Sequence, residues 1–104
     1  MELMVLSVPD CPNAPVLEQR LAGLLAGRPE VTVTRLVISD AAEAARRGMR
    51  GSPTLLVDGQ DPFGGSGSGA VLACRLYPAG EGRLEGAPTI SALRDVLERA
   101  GALG

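Results

Sequence analysis

The stretch Leu3-Met4-Val5-Leu6-Ser7-Val8-Pro9-Asp10-Cys11-Pro12-Asn13-Ala14-Pro15 decides how the rest of the chain is read. Its first six residues form an apolar run of strand length, suited to a strand covered on both faces. Beyond Pro15, Leu17, Leu21, Leu24 and Leu25 recur at helical spacing. Proline is tolerated in the first turn of a helix, where its missing N–H would have had no partner. Pro12 and Pro15 therefore mark a helix start, and Cys11 is expected at a strand-to-helix junction. Unpaired N–H groups and the positive end of the helix dipole favour a thiolate there, while the carboxylate of Asp10 opposes it.

Outward from this junction, the first helix is expected over about Asn13 to Ala26, closed by Gly27 and Pro29. Val31 to Ile38 is rich in β-branched residues and reads as a second strand. Asp40, with Glu43 three residues on, opens a short alanine-rich helix that runs to Arg47 and stops at Gly48. This strand-helix-strand-helix order calls for parallel pairing with right-handed crossovers. Gly51-Ser52-Pro53-Thr54 leads into a third strand, Leu55-Leu56-Val57, ended by Asp58-Gly59. Gln60 to Gly69 has linker composition and reads as a long, mobile hairpin connection. In the fourth strand, Val71 to Tyr77, Leu72, Cys74 and Leu76 share the core face, which leaves Arg75 and Tyr77 outside. Pro78 to Gly82 reads as a turn and Arg83-Leu84-Glu85 as a short returning strand. Thr89 caps a last helix with an apolar stripe of Ile90, Leu93, Val96, Leu97 and Ala100.

At 104 residues the chain is expected to form one domain, 1–104, able to bury ~60–70% of its unfolded surface. Its ten basic residues, all arginine, are interspersed with twelve acidic ones, and it has one tyrosine, one phenylalanine and no tryptophan. With neither a basic stripe nor an aromatic stacking platform, nucleic acid is not an expected partner. No run approaches the ~20 apolar residues that span a bilayer, and Pro9 interrupts the first apolar run, so neither a membrane span nor a secretory leader is read. Two distant cysteines do not make a disulfide framework, and a reducing, cytoplasmic location is expected. The chain has no histidine, which removes cysteine–histidine pairs, serine–histidine–aspartate triads and imidazole zinc sites. No cofactor and no metal-ligand set is read.

Two motifs, Pro9-Asp10-Cys11-Pro12-Asn13-Ala14 and Gly51-Ser52-Pro53-Thr54-Leu55-Leu56-Val57-Asp58-Gly59, together with the element order, resemble the thioredoxin-like superfamily, in particular its small bacterial members. The resemblance covers essentially the whole chain. It implies an α/β fold of order βαβα-ββ-α, with a four-stranded mixed sheet flanked by helices and a short fifth strand. It also implies that the third strand runs antiparallel beside the first, that Pro53 is cis, and that Pro53 packs against a nucleophilic Cys11. Pro12, Asn13, Ser52, Pro53 and Thr54 would then line the substrate site. A cis X-Pro bond bends the backbone and leaves a carbonyl and an N–H at the sheet end, where a substrate strand can pair.

The chain departs from the family pattern at Ala14, where a dithiol thioredoxin carries its second cysteine. Cys11 can then attack a disulfide but cannot resolve the mixed disulfide within its own turn. In the expected topology Cys74 lies mid-strand, roughly 12 Å away by strand spacing and rise. A disulfide needs Cα atoms within about 7 Å, so an external thiol is expected to finish the exchange. The resulting expectation is a monothiol thiol–disulfide oxidoreductase acting on a thiol or disulfide substrate, protein or glutathione-like, as a monomer or weak homodimer. The alternative is a non-catalytic module of the same fold that holds a protein partner, glutathione or a soft metal such as mercury at Cys11.

Overall fold

Leu3 and Val5 point to one side of the first strand and Met4 and Leu6 to the other, and each side meets its own helices. The computed structural model describes residues 1–63 and 71–103, with the backbone alone for 71–74. Strand β1 (Glu2–Ser7) lies in the middle of a three-stranded mixed sheet. On one edge it pairs in parallel with β2 (Thr32–Val37), and on the other antiparallel with β4 (Thr54–Val57). Between them run α1 (Ala14–Leu24), α2 (Ala41–Arg47) and β3 (Arg50–Ser52). The helix α3 (Ile90–Arg99) closes the described chain.

The period of two splits the core into two layers. Leu3, Val5 and Leu55 pack with Leu17 and Leu21 of α1 and with Leu93 and Leu97 of α3. On the opposite face Leu6 and Leu56 pack with Ile38, Met49 and Ala44 of α2. A strand covered on both faces needs an apolar run and not an alternation, and that is how β1 reads. Helix α2 spans the residues expected, its Asp40 side chain accepting from Glu43 N–H at 2.7 Å and its Gly48 adopting the left-handed cap at φ 76°. Thr89 caps α3 in the same way, accepting from Ala92 N–H at 3.0 Å. The α3 stripe is narrower than expected: Ile90 and Ala100 are exposed because they overhang the ends of the contact that buries Leu93 and Leu97.

Among the described residues the strands form one three-stranded sheet and two two-stranded ones in place of the expected four-stranded sheet. Pro53 has no N–H to continue a ladder and separates β3 from β4. The strand β5 (Val71–Cys74) pairs with β3, in parallel, with Arg50 opposite Val71 and Ser52 opposite Cys74. A parallel pair cannot be closed by a hairpin, so β5 does not form the expected hairpin with the strand before it. The greater part of the stretch read as that connection, 64–70, lies outside the described residues. The register also moves the Cys74 backbone to the level of Ser52, where the expected topology had it several residues below the Cys11 end.

Beyond Cys74 the expected single strand breaks. After Arg75 and Leu76 the chain enters a hairpin of β6 (Tyr77–Gly80) and β7 (Arg83–Glu85), turned by Glu81 and Gly82 at positive φ. Leu76 is 61% exposed and Tyr77 only 2%, the reverse of the expected faces. The cause lies in what each side chain meets. Arg75 turns in to Asp61 and Tyr77 to the Pro53 carbonyl, which sends the intervening Leu76 out. Among the described residues no helix is long and apolar enough to cross a membrane.

Candidate functional site at the Cys11 and Pro53 loops

Antiparallel pairing of β1 with β4 puts Leu6 opposite Thr54, so the loop that follows β1 and the loop that precedes β4 share one end of the sheet. One hydrogen bond ties them directly: Val8 N–H donates to Ser52 Oγ at 3.0 Å. From Val8 the chain turns tightly, with Cys11 N–H donating to the Val8 carbonyl at 3.3 Å. Asp10 takes the left-handed conformation in this turn, at φ 59°, and is exposed. It does not cap α1. That position falls to Asn13, whose side chain makes no capping bond, and Pro15 occupies the first turn. Helix α1 therefore begins three residues after Cys11 and ends at Leu24, earlier than expected, with Gly27 in the turn that follows.

The second loop is held from within. The Ser52–Pro53 peptide is cis. Gly51 sits at φ 118°, a conformation that L side chains rarely adopt, which accounts for glycine before Ser52. The Thr54 hydroxyl donates to the Gly51 carbonyl and accepts from Arg50 N–H at 3.2 Å, clasping the loop across its neck. Ser52, Pro53 and Thr54 are all buried.

Of the residues singled out from sequence, Cys11, Ser52, Pro53 and Thr54 thus belong to two loops joined at one end of the sheet. Pro12 is exposed on the rim. Asn13 packs its amide against Gly86 so closely that a methyl group there would overlap it. Cys11, read from sequence as the nucleophile, is largely covered, with only 9% of its surface exposed. The hydroxyls of Ser52 and Thr54 already serve the protein's own backbone.

A cluster that sequence reasoning missed completes the site. Tyr77 donates its hydroxyl to the Pro53 carbonyl, and the backbone N–H of Arg75 donates to the Ser52 carbonyl at 3.1 Å. The Arg75 guanidinium is held by Asp61 Oδ2 at 2.6 Å, by the Phe63 carbonyl at 2.9 Å and by the Tyr77 ring, 4.6 Å from its centroid. Phe63 meets the Tyr77 ring edge-on at 5.4 Å, and Asp61 Oδ1 accepts from Phe63 N–H at 2.8 Å. Burial pushes the Tyr77 phenol well above its ordinary pKa; the Arg75 cation pulls the other way, and negative charge on Asp61 and Cys11 adds to the rise. A composition signal for Tyr77 did exist: in a chain with two aromatic residues, a lone tyrosine is a large apolar body that tends inward with its hydroxyl partnered.

A cleft of about 530 Å³, lined by Val57, Asp58, Gln60, Asp61, Val96 and Arg99 among others, opens at the Val57 end of β4 and shares Asp61 with this cluster. Among the described residues no group of three histidine, cysteine, aspartate or glutamate side chains could hold a metal ion. Compared with known proteins, the chain matches no family model, no curated protein and no solved structure.

Proposed function

We propose that this chain is a thioredoxin-like protein that carries out thiol–disulfide exchange through Cys11, in a reducing, cytoplasmic setting. The observation that supports this reading best is the Val8–Ser52 hydrogen bond, which joins the cysteine loop to the cis-proline loop at one end of a mixed sheet. In the exchange the Cys11 thiolate attacks one sulfur of a disulfide. A new S–S bond forms to Cys11 and the old one breaks, and the displaced sulfur leaves as a thiolate that takes a proton from water. An external thiol then regenerates Cys11, since Ala14 stands where a dithiol site has its second sulfur.

The test is mass spectrometry of the protein after exposure to glutathione disulfide. A glutathione adduct mapped to Cys11, lost on adding free thiol and missing in Cys11→Ser, is the expected result. The burial of Cys11 favours a second reading, a non-catalytic module of the same fold. That reading gains if Cys11 is labelled only when the whole protein unfolds.

A further inference from the structure

Strand β2 has its inner edge on β1 and, among the described residues, no strand on its outer edge. Its ladder with β1 runs without a break from Thr32 to Val37. Thr32 N–H donates to the Met1 carbonyl at 3.0 Å and Ile38 N–H to the Ser7 carbonyl at 2.7 Å. In a parallel ladder alternate residues bond to the same neighbour, so the even-numbered residues of β2 face β1. The N–H and C=O groups of Val33, Arg35 and Val37 therefore point away from the sheet. Edges that must stay single are blunted by proline, lysine, a bulge or an inward-pointing charge. Residues 32–37 have none of these, and all but Leu36 are exposed. The side chains add a second observation. Val33 and Arg35 lie beside Leu3 and Val5, which pack on α1, and Val37 shares that face by the period of two. Val33 and Val37, 41% and 48% exposed, thus stand two residues to either side of Arg35. Arg35 is the only charge in the strand, and Glu18 of α1 meets its Nε at 2.9 Å.

We infer that the outer edge of β2 is a self-association surface: two copies pair β2 antiparallel to β2 about a two-fold axis at Arg35, joining their sheets into one. This goes beyond the exchange reading and does not rest on it. The occupant is a second copy because the strand is complementary to itself about that point. Turned through the axis, Val33 faces the partner's Val37, Val37 faces the partner's Val33, and Arg35 faces the partner's Arg35. All are residues whose backbone groups point outward, so each pair exchanges two hydrogen bonds. The valines make two equivalent β-branched contacts on the α1 face. Two arginines directly opposite each other repel, but each brings its own Glu18, and the four charges cancel. The same patch thus serves both copies, as a closed two-fold interface requires. A single strand edge is small beside the ~1,200 Å² of an ordinary specific interface, so the pair is weak and concentration-dependent. Antiparallel joining sends the two Cys11 loops to opposite ends of the combined sheet, so neither covers the other.

The experiment is sedimentation equilibrium of the full chain under reducing conditions, from about 5 to 500 μM, for wild type, Val37→Lys and Glu18→Gln. Wild type should show a reversible monomer–dimer equilibrium. Val37→Lys sets an edge lysine at an exposed position, and because the axis counts it twice the dissociation constant should rise at least about tenfold. Glu18→Gln leaves Arg35 facing the partner's Arg35 without a counter-charge, and should weaken the dimer more at low salt than at high salt. Amide hydrogen exchange followed by NMR needs no variant and decides alone should the substituted chains not fold. The N–H groups of Val33, Arg35 and Val37 should exchange more slowly as wild type is concentrated, while those of Thr32, Thr34 and Leu36 are protected throughout. A chain that stays monomeric across the range overturns the inference and leaves the edge to a different extended chain. A dimer that Val37→Lys leaves intact, or protection gained elsewhere than at Val33, Arg35 and Val37, overturns the edge. A dimer as strong in Glu18→Gln as in wild type overturns the axis at Arg35.

Discussion

Replacing Tyr77 with phenylalanine removes one oxygen atom and leaves the ring that Phe63 and Arg75 contact. No cavity is opened, so the cost is that of the Pro53 carbonyl left buried without its donor, about 1–3 kcal/mol. The same hydroxyl gives the protein an alkaline signature. Burial holds the folded phenol protonated well above the value near 10 at which it ionises in the unfolded chain. Above that pH the unfolded state has fewer bound protons than the folded one, so stability falls as pH rises, by about 1.4 kcal/mol per unit. Below it the contribution is fully present. The chain has no lysine, no histidine and no second tyrosine, and the two thiols are common to both proteins, so the difference between wild type and Tyr77→Phe isolates this one group. Urea unfolding at pH 8, 10 and 11, about the turning point expected for the unfolded phenol, should show wild type more stable at the first, with its advantage shrinking by about 1 kcal/mol between the last two. Tyrosinate absorbance rising near pH 10 in the folded protein would refute the reasoning, as would equal stability of the two proteins at neutral pH.

Other substitutions probe the parts that build the site. Thr54→Val keeps the shape but takes away the hydroxyl that serves Gly51 and Arg50, and thermal or urea unfolding should register a loss of about 1–3 kcal/mol. Gly86→Ala pushes aside only the far end of the half-buried Asn13 side chain, which makes no capping bond, so it should cost no more than about 1 kcal/mol, and adding Asn13→Ala should remove that cost; a clearly larger loss of stability would mean that the backbone has to move as well. Asp40→Ala removes the cap of α2 and should cost about 1 kcal/mol, read as a shift in the urea midpoint at constant slope.

Local chemistry made some elements legible. Asp40 with Glu43, Gly48, and Thr89 each specify a helix end through bonds made within a few residues, and those ends lie where the residue types put them. The apolar run Leu3 to Val8 announces a central strand because both its faces must be covered. The two loops that carry Cys11 and Pro53 could be named for the same reason, since glycine, proline and a strand start leave a short menu of backbone paths.

What the chain could not announce locally is partner choice. Val71 to Cys74 is an apolar strand by composition, but nothing within it says that it pairs with Arg50–Ser52 in parallel and not with the strand before it in a hairpin. Alternation carried past Cys74 assigns Tyr77 outward, and the error comes from extending a period across a break that only the remote Asp61 and the Pro53 carbonyl explain. Sequence by itself determined the helices, the central strand and the identity of the two loops, because these rest on bonds between near neighbours. Tertiary structure alone decided that the loops are tied at Val8 and Ser52, that Cys11 is covered, and that Arg75 and Tyr77 bond to the Ser52 and Pro53 carbonyls, because each depends on groups that the chain brings together from far apart.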